Sequence, residues 1–337
     1  MAYAAFSPKG FKAWVIEETV TGNNLGALDS PAITSNLLQL DVDSVAYPSI
    51  APNQNVDVRT SIGRVAHKND FFQDDVIRAT EVSLSGTYHN DTGHILLMQS
   101  ACGVNLDATV ADVEMPTAST TVSGKYGESE ANKTFTLVLA PPDTADGYNI
   151  VMVGCLCTNF TISADTGTEG GIYKWSATIS TGMKPITNNT TAEVGAAYTS
   201  APISINTLTG ATTVNSIAST VLSSFSVSVD SPAVYSGFLA NGYHTYGRAP
   251  ELAVTADVQV KYDSVTRPIL NNFNTQSAAD EADMLTLTQA TAHNCSIAIG
   301  AGVLTNAALS EGDIMMMDVS IKAVNVGNNI IAFNLAA

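Results

Sequence analysis

The sequence has few charged residues, few cysteines and few aromatic residues for its length. Of its 337 residues, 13% are charged, 7% are aromatic and four are cysteine. Globular domains usually have about 25% charged residues, so we expect much of this surface to consist of small polar side chains. Four cysteines in a chain of this length do not indicate the disulfide framework of a small secreted domain.

Basic residues are particularly scarce. The chain has 14 Lys and Arg against 31 Asp and Glu, which gives a formal net charge of −17. Proteins that hold nucleic acid through its phosphates need clustered Lys and Arg, so this composition argues against tight binding of that kind. Acidic charge that only maintains solubility is the simpler explanation and stays open.

Long hydrophobic runs are absent, so no membrane-spanning helix is predicted. The first residues, MAYAAFSPKGFKAW, lack a basic region followed by an apolar stretch, and we therefore expect no secretory signal. Cys155 and Cys157 are predicted to be reduced, small hydrophobic residues of a buried strand. A metal site at this pair would need two more ligands.

Recognisable motifs for catalysis, cofactor binding and metal binding are also missing. His89 and His94 flank a sequence typical of turns, and their spacing fits no zinc pattern. The GTEGG sequence at 167–171 predicts a hairpin turn, because no Lys-Ser/Thr follows it as in a phosphate-binding loop. We predict no catalytic residue, no metal site and no cofactor, and we do not expect an enzyme.

Alternating apolar and polar residues, in contrast, predict β-strands along most of the chain. Residues 38–43 (LQLDVD) and 225–230 (FSVSVD) alternate alike, and an Asp-Ser pair ends each run. Arg-Ala-x-Glu occurs at 78–81 and at 248–251, each time before an alternating strand. We interpret each pair as one strand present in two copies, at offsets of 187 and 170 residues.

The elements that follow these strands are repeated as well. Asp91 is predicted to begin a helix that ends at Gly103, and Pro268 is predicted in the first turn of a second short helix. The closing segments match at offsets of about 147 and 142, with 148–163 against 295–310 and 171–180 against 313–322. The first of these matches includes a Thr-Asn pair in both copies.

This repetition predicts the domain organisation. We expect an N-terminal arm at 1–32, a first domain at 33–182, a linker or decorated loop at 183–221, and a second domain with a C-terminal tail at 222–337. Each domain is predicted to be mainly β, a small antiparallel sandwich or barrel with one short helix. The strands lack the lysines that often protect sheet edges, so we expect the edges to pair between copies and close a ring.

The order of the elements resembles the tail tube proteins of long-tailed bacteriophages. The resemblance covers roughly 33–180 and 222–325 and depends on element order and repetition rather than on one motif. It implies that each domain gives a four-stranded sheet to a continuous intermolecular barrel, and that six domains form one ring of a tube that carries DNA. The fused pair differs from the commoner one-domain form and implies three chains per ring, with pseudo-six-fold symmetry.

Under this resemblance we expect a structural virion protein, made in the host cytoplasm and located in the tail. Its partners would be copies of itself, other tail proteins and double-stranded DNA that passes without tight binding. We predict that five acidic side chains line the channel, at least in part: Asp41, Asp43, Asp230, Asp257 and Asp318. The alternative is that they face outer solvent or contacts between rings.

Two loops are predicted to make contacts between subunits or rings. The segment 44–78 is too long for a simple turn and has mixed charges, and 235–247 is its shorter, aromatic counterpart. The proposed contact residues are Arg59, Arg64, His67, Lys68, Asp74, Asp75, Tyr243 and Tyr246. Ordinary surface loops are the alternative.

Two other functions stay open at this point. One is a tandem β-sandwich adhesin or carbohydrate-binding protein, which would expose aromatic platforms. Against it, Trp14, Tyr173 and Trp175 lie mostly in predicted strands. The other is a capsid decoration protein.

Overall fold

The structure is a computed structural model that describes residues 10–18, 37–48, 53–56, 71–74, 80–103, 112–115, 134–140, 149–189, 195–209, 212–218, 221–236, 245–249, 252–275, 283–289, 295–324 and 330–335. Within these ranges the chain is mainly β, with antiparallel sheets and two α-helices. The predicted fold class is confirmed in this respect. We call the described residues up to 209 the first half and those from 212 the second half.

The strands of the first half are β1 (Lys12–Glu17), β2 (Leu37–Leu40), β3 (Ser44–Ala46), β4 (Asn53–Val56), β5 (Phe71–Asp74), β6 (Thr80–Thr87), β7 (Asp112–Met115), β8 (Phe135–Ala140), β9 (Asn149–Asp165), β10 (Lys174–Thr181), β11 (Ile186–Asn189) and β12 (Gly195–Ala196). Those of the second half are β13 (Thr213–Val214), β14 (Ile217–Ala218), β15 (Leu222–Asp230), β16 (Ala233–Ser236), β17 (Thr245–Arg248), β18 (Ala253–Lys261), β19 (Leu285–Thr288), β20 (Cys295–Ile299), β21 (Gly302–Ser310), β22 (Met316–Ala323) and β23 (Ile331–Leu335). Helix α1 (Thr92–Cys102) follows β6, and helix α2 (Arg267–Thr275) follows β18.

Eight strands form one continuous antiparallel sheet across both halves. Their order is β3-β6-β10-β9-β15-β18-β22-β21. The first four strands belong to the first half and the last four to the second. We call this the eight-stranded sheet, and we call its central pair, β9 with β15, the internal junction.

A second set of strands also has the same order in both halves. It is β2-β1-β8-β9-β11 in the first half and β14-β13-β19-β20-β23 in the second. Strand β9 serves both sets, since residues up to Cys155 pair with β8 and residues from Asn159 pair with β15. Gly154 lies at the register shift between Met152 and Cys155 in the β8 pairing and has φ 64°, a conformation that glycine adopts without strain.

One hydrophobic core lies under the apolar face of the eight-stranded sheet and continues from one half to the other. Alternation places one apolar side chain of every two on this core, as in β18, where Val254, Val258 and Val260 are buried. Helix α1 lies inside the core, and all of its residues from Gly93 onward are buried. In α2, Ile269 is the buried residue.

The predicted first helix is confirmed. Gly103 ends α1 in the left-handed conformation, with φ 63°, and its N–H points to the carbonyl groups of Gln99 and Ser100. Asp91 precedes the helix, but its carboxylate does not cap it. It accepts hydrogen bonds from the backbone N–H groups of Thr199 and Ser200 instead, both at 3.2 Å.

Matching β-bulges fix which residues of the two halves are equivalent. Thr158 in β9 and Thr305 in β21 are each the extra residue of a bulge. Their hydroxyls donate to the carbonyl groups of Thr178 and Ser320, at 3.1 Å and 3.2 Å. The residue differences, 158 to 305 and 178 to 320, are the predicted offsets of 147 and 142.

The register corrects the two earlier matches. Counted from the bulges, Leu84 is equivalent to Val258, an offset of 174 rather than 170. Val45 is equivalent to Phe225, an offset of 180 rather than 187. Residues 38–40 instead belong to β2 in the second set. An alternation of period two shows which side chains share a face of the sheet, but it does not specify the register along the strand. The repeated sequences at 78–81 and 248–251, and at 38–43 and 225–230, were for this reason aligned in the wrong register.

Two predicted boundaries also differ from the structure. Strand β1 lies within the range predicted as an arm, yet it pairs with β2 and β8, which buries Ala13, Trp14 and Val15. The predicted linker at 183–221 contributes β11 to the first half and β13 and β14 to the second. Strands β13 and β14 pair with each other across a tight turn, but each has only two residues, too few for an alternation to show. The partners β9 of β11 and β19 of β13 are distant in sequence.

Candidate functional site

The face of the eight-stranded sheet opposite the core consists largely of small hydroxyl side chains, and we call it the polar face. One row of register partners across six strands is Ser44, Ser85, Ser176, Thr161, Ser228 and Thr255. The next row is Thr87, Lys174, Ser163, Ser226, Asp257, Ser320 and Asn306. Such a surface offers hydrogen-bonding groups with little charge.

Three of the five predicted channel acids lie on the polar face of the second half. Asp257 accepts a 2.6 Å hydrogen bond from the Ser320 hydroxyl. Asp318 accepts a 2.8 Å bond from the Gln259 side-chain amide. The third, Asp230, is exposed at the end of β15.

The other two predicted acids lie in the first half, away from these three. Asp43 borders the polar face, where the Lys174 ammonium is 3.0 Å from its carboxylate. Asp41 lies between β2 and β3, and its carboxylate is 2.9 Å from Nε2 of His89. The structure therefore groups Asp43 with the face and separates Asp41 from it.

Sequence reasoning missed further charged residues of the polar face. Continuing the alternation along each strand adds two acidic and three basic side chains, namely Glu81, Asp165, Lys174, Lys261 and Lys322. With Asp230, Asp257 and Asp318, the described residues of this face include five acidic and three basic side chains. Two of the lysines have acidic neighbours, since Lys174 contacts Asp43 and Lys261 is 3.7 Å from Asp263. The face is therefore mildly acidic and its cations are partly paired.

The polar face is concave toward one end of its central strands. A cavity of about 570 Å³ opens there. Its lining includes side chains of β9, β10, β15, β18 and β22, among them Asp165, Lys174, Ser226, Asp257 and Asp318. The cavity therefore lies on the polar face at the internal junction, beside the turn between β9 and β10.

The rows of the sheet are sheared in a regular way. The row that begins at Ser44 reaches β15 at Ser228, whereas the residue equivalent to Ser44 is Ser224, four positions away. Four strands therefore shift the register by four residues. This ratio fixes the tilt of any barrel built by repeating the unit.

The two histidines form a packing cluster rather than a ligand set. Burial, and secondarily His89, lowers the pKa of His94 to about 3, so its ring is neutral. His94 packs edge-on against Trp175 at 5.1 Å between ring centroids and against Tyr88 at 5.5 Å. Among the described residues, no group of three or more His, Cys, Asp or Glu could hold a metal ion.

The cysteines are buried thiols. Burial raises the pKa of Cys102, Cys157 and Cys295 to about 12, and it also raises the pKa of Cys155 well above its usual value. The thiols therefore stay protonated at neutral pH, and thiolate is the form that binds metals. This agrees with their interpretation as small core residues.

Most of the predicted loop contacts lie outside the described residues, namely Arg59, Arg64, His67, Lys68, Asp75 and Tyr243. Asp74 ends β5 opposite Asn53 of β4, and Tyr246 lies in β17 opposite Tyr235 of β16. Both segments thus include a β-hairpin. Their role in contacts between subunits stays a prediction.

Arg248, at the end of β17, joins the two halves. Its guanidinium donates to the carbonyl groups of Cys157 and Ser231, at 2.5 Å and 2.9 Å. It also donates to the Ser100 hydroxyl at 3.1 Å, near the end of α1. A cation near a helix C-terminus is favourable. Sequence reasoning noticed this arginine as part of a repeated phrase, and the structure gives it this bridging role.

Neither helix among the described residues is long and apolar enough to cross a membrane. A comparison with known protein families found no matching family model, and a comparison with curated proteins found no significant match. Function must therefore be argued from the geometry of the sheet and its polar face.

Proposed function

We propose that this protein is a structural protein of a bacteriophage tail, in which copies join edge to edge into rings that stack into a tube. The observation that carries the proposal is the eight-stranded sheet, made of two four-stranded sets in the same order. We infer that the halves are duplicated domains, each giving four strands to a barrel that no single chain completes.

The edges of the sheet support assembly. In the described part of the chain, β3 pairs with β6 on one side and β21 pairs with β22 on one side. Neither edge strand contains a charged residue, since their sequences are SVA and GVLTNAALS. Unprotected edges of this kind favour pairing with another chain.

The shear supports a barrel of the required width. A shear number equal to the strand number corresponds to a tilt of about 36°. With three chains and 24 strands spaced about 4.8 Å apart, the barrel diameter is about 45 Å. About 35 Å remains after about 10 Å is subtracted for inward side chains, which leaves room for duplex DNA.

The polar face suits the wall of such a channel. Its hydroxyl side chains and mild acidity give phosphates no cluster of cations to bind, so DNA would pass without being held. The cavity at the internal junction also lies on this face. We propose that Asp230, Asp257 and Asp318 line the channel, with Asp43 at its margin.

The carbohydrate-binding alternative receives less support. Trp14, Tyr173 and Trp175 are all buried, so none of these three provides an exposed aromatic platform. A decoration protein would bind a capsid instead of forming tubes. Electron microscopy of the purified protein, with its mass in solution, tests the proposal: we expect rings or tubes built of three-chain units. Monomers at all concentrations would contradict it.

Two variants with the same added positive charge test the channel assignment. Tubes of Asp257→Lys/Asp318→Lys should retain a short DNA duplex in a salt-dependent way, whereas wild-type tubes should not. The matched control, Ser264→Lys/Val265→Lys/Asn271→Lys/Asn274→Lys, adds the same four units of positive charge at exposed positions in and just before α2, off the polar face. Equal retention by the variant and the control would show that the polar face is not the channel wall.

A further inference from the structure

We propose that residues 309–312 of one copy, the end of β21 and the two residues after it, pair antiparallel with residues 44–47 of the next copy, and that Leu309 lies opposite Tyr47 of that copy. The inference rests on the proposed function and specifies the partner of the open edge, a second copy of this chain. It is derived from the internal junction, where the chain already joins the end of one four-stranded set to the start of another.

The first step is the equivalence of Ile162 and Leu309. In each strand the bulge threonine is followed by a paired asparagine, Asn159 in β9 and Asn306 in β21. Ile162 and Leu309 each lie three residues after that asparagine. Their register partners, Trp175 and Met317, are 142 residues apart, in agreement with the offset of the final strands. Leu309 is therefore the position of β21 that corresponds to Ile162 at the internal junction.

The second step is the equivalence of Val227 and Tyr47. Val45 pairs with Leu84, and its counterpart Phe225 pairs with Val258. Two residues further along lie Tyr47 and Val227, on the same side of their strands. Val227 is the register partner of Ile162 at the internal junction. Applied to the open edges, the same register places Tyr47 opposite Leu309.

Exposure of the four side chains supports this pairing. Ile162 and Val227 are each 1% exposed, because β9 and β15 pair within the chain and place the two side chains against each other. Leu309 is 43% exposed and Tyr47 is 42% exposed. Leu309 and Tyr47 are thus partly exposed at the two open edges. Their counterparts at the internal junction, where the partner strand is present, are buried. A neighbouring copy would bury Leu309 and Tyr47 as well.

The polar face continues across the proposed contact. The register that pairs Ser163 with Ser226 and Asp165 with Ser224 inside the chain would pair Ser310 with Ala46 and Gly312 with Ser44 between copies. Small residues thus face each other on the channel side. The ladder would end after Tyr47, since Pro48 has no N–H to donate.

A neighbouring loop supports the same edge as an interface. Ile314 is 62% exposed and Met315 is 46% exposed in the turn between β21 and β22. Their counterparts in the first half, Ile172 and Tyr173, are covered by the residues around Ile203, whose carbonyl accepts from the Tyr173 N–H at 2.8 Å. We expect the next copy to cover Ile314 and Met315 in a similar way.

Engineered cysteines test the register. Residues directly opposite in an antiparallel pair have Cα atoms about 4.5–5.5 Å apart, within the range that disulfides require. Tyr47→Cys/Leu309→Cys should therefore form disulfides between copies on mild oxidation, and non-reducing electrophoresis should show a species of three linked chains. The four native cysteines are buried, so they should contribute little background.

The matched control is Tyr47→Cys/Glu311→Cys, which moves one thiol by two residues on the same face to another exposed position. Diagonal neighbours of this kind are about 7–8 Å apart, so we expect at least tenfold slower crosslinking. Equal or faster crosslinking in the control, or no crosslinking of assembled Tyr47→Cys/Leu309→Cys, would overturn the register and leave the proposed function intact. If the wild-type protein does not assemble at all, the proposed function fails and the inference fails with it.

Discussion

The two halves of the molecule share one order of strand pairing but fill it with different side chains. Trp175 in β10 and Met317 in β22 are equivalent and both fully buried, and Phe160 in β9 corresponds to Ala307 in β21. At these two positions the first half has the larger, aromatic side chain, whereas at the equivalent pair Val45 and Phe225 the second half has it. The comparison indicates that backbone pairing and alternation maintain the order, while the volume of each core is adjusted locally.

The halves also differ in how completely the chain covers them. In the first half, α1 is buried and residues 203–205 lie against the turn between β9 and β10. In the second half, α2 is largely exposed, and the side chains of Ile314 and Met315 are exposed as well. The chain itself thus covers the apolar side chains of the first half at this turn, whereas the second half keeps exposed apolar side chains next to an open edge of the sheet. Under the proposed assembly, the next copy would cover this surface.

Removing the Trp175 side chain should have the largest effect on stability. Trp175→Ala deletes a fully buried ring and should lower the free energy of unfolding by about 3–5 kcal/mol. The equivalent change in the second half, Met317→Ala, should cost less, near about 2–3 kcal/mol, because fewer atoms are lost. Urea denaturation of both variants measures the difference. A larger loss for Met317→Ala would show that the second half has the more tightly packed core.

The sequence predicted the parts of this architecture that have local signals. The alternation predicted seven of the eight strands of the eight-stranded sheet, and Gly103 predicted the end of α1. Strand β3 was missed, because it lies in the segment 44–78 that was predicted as a loop. The matches of the last two strands were in register because the Thr-Asn bulge marks one position in each copy. The earlier matches lacked such a marker, so the repeated Arg-Ala-x-Glu phrase led to an offset four residues too short.

Non-local pairing explains what the sequence did not reveal. Strand β7 of the first half pairs with β23 near the end of the chain, and β1 is ordered by β8 more than a hundred residues later. The polar face was predicted through five aspartates, but Asp41 belongs to another cluster because β2 and β3 pair with different strands. Which strand a residue joins depends on these distant partners, and its own neighbours in sequence do not specify it.

The buried histidine should give the first half a pH dependence of intermediate size. The pKa of His94 falls to about 3 in the folded protein, mainly through burial, against about 6.5 in the unfolded chain. Below pH 6.5 the unfolded state takes up a proton that the folded state does not. Stability should therefore fall by about 1.4 kcal/mol per pH unit between pH 6.5 and 3 and should not depend on this group above pH 6.5.

His94→Phe isolates this effect. The substitution keeps an aromatic ring against Tyr88 and Trp175 and removes the titrating group. Between pH 7 and pH 5, urea denaturation should show wild type losing about 2 kcal/mol more than the variant. Parallel losses in the two proteins would mean that His94 is protonated in the folded state and that the aromatic cluster is more open to water.

The smallest effect on the single chain should occur at the bare turn of the second half. Ile172 and Ile314 are the same residue at equivalent positions, one half-buried against the segment around Ser204 and the other 62% exposed. Ile172→Ser should cost about 1 kcal/mol, whereas Ile314→Ser should change the stability of the monomer by less than about 0.5 kcal/mol. If a neighbouring copy covers Ile314, the same variant should still raise the concentration at which rings form. If Ile314→Ser lowers monomer stability as much as Ile172→Ser does, the chain itself covers this turn. The two halves would then not differ in how completely the chain covers them.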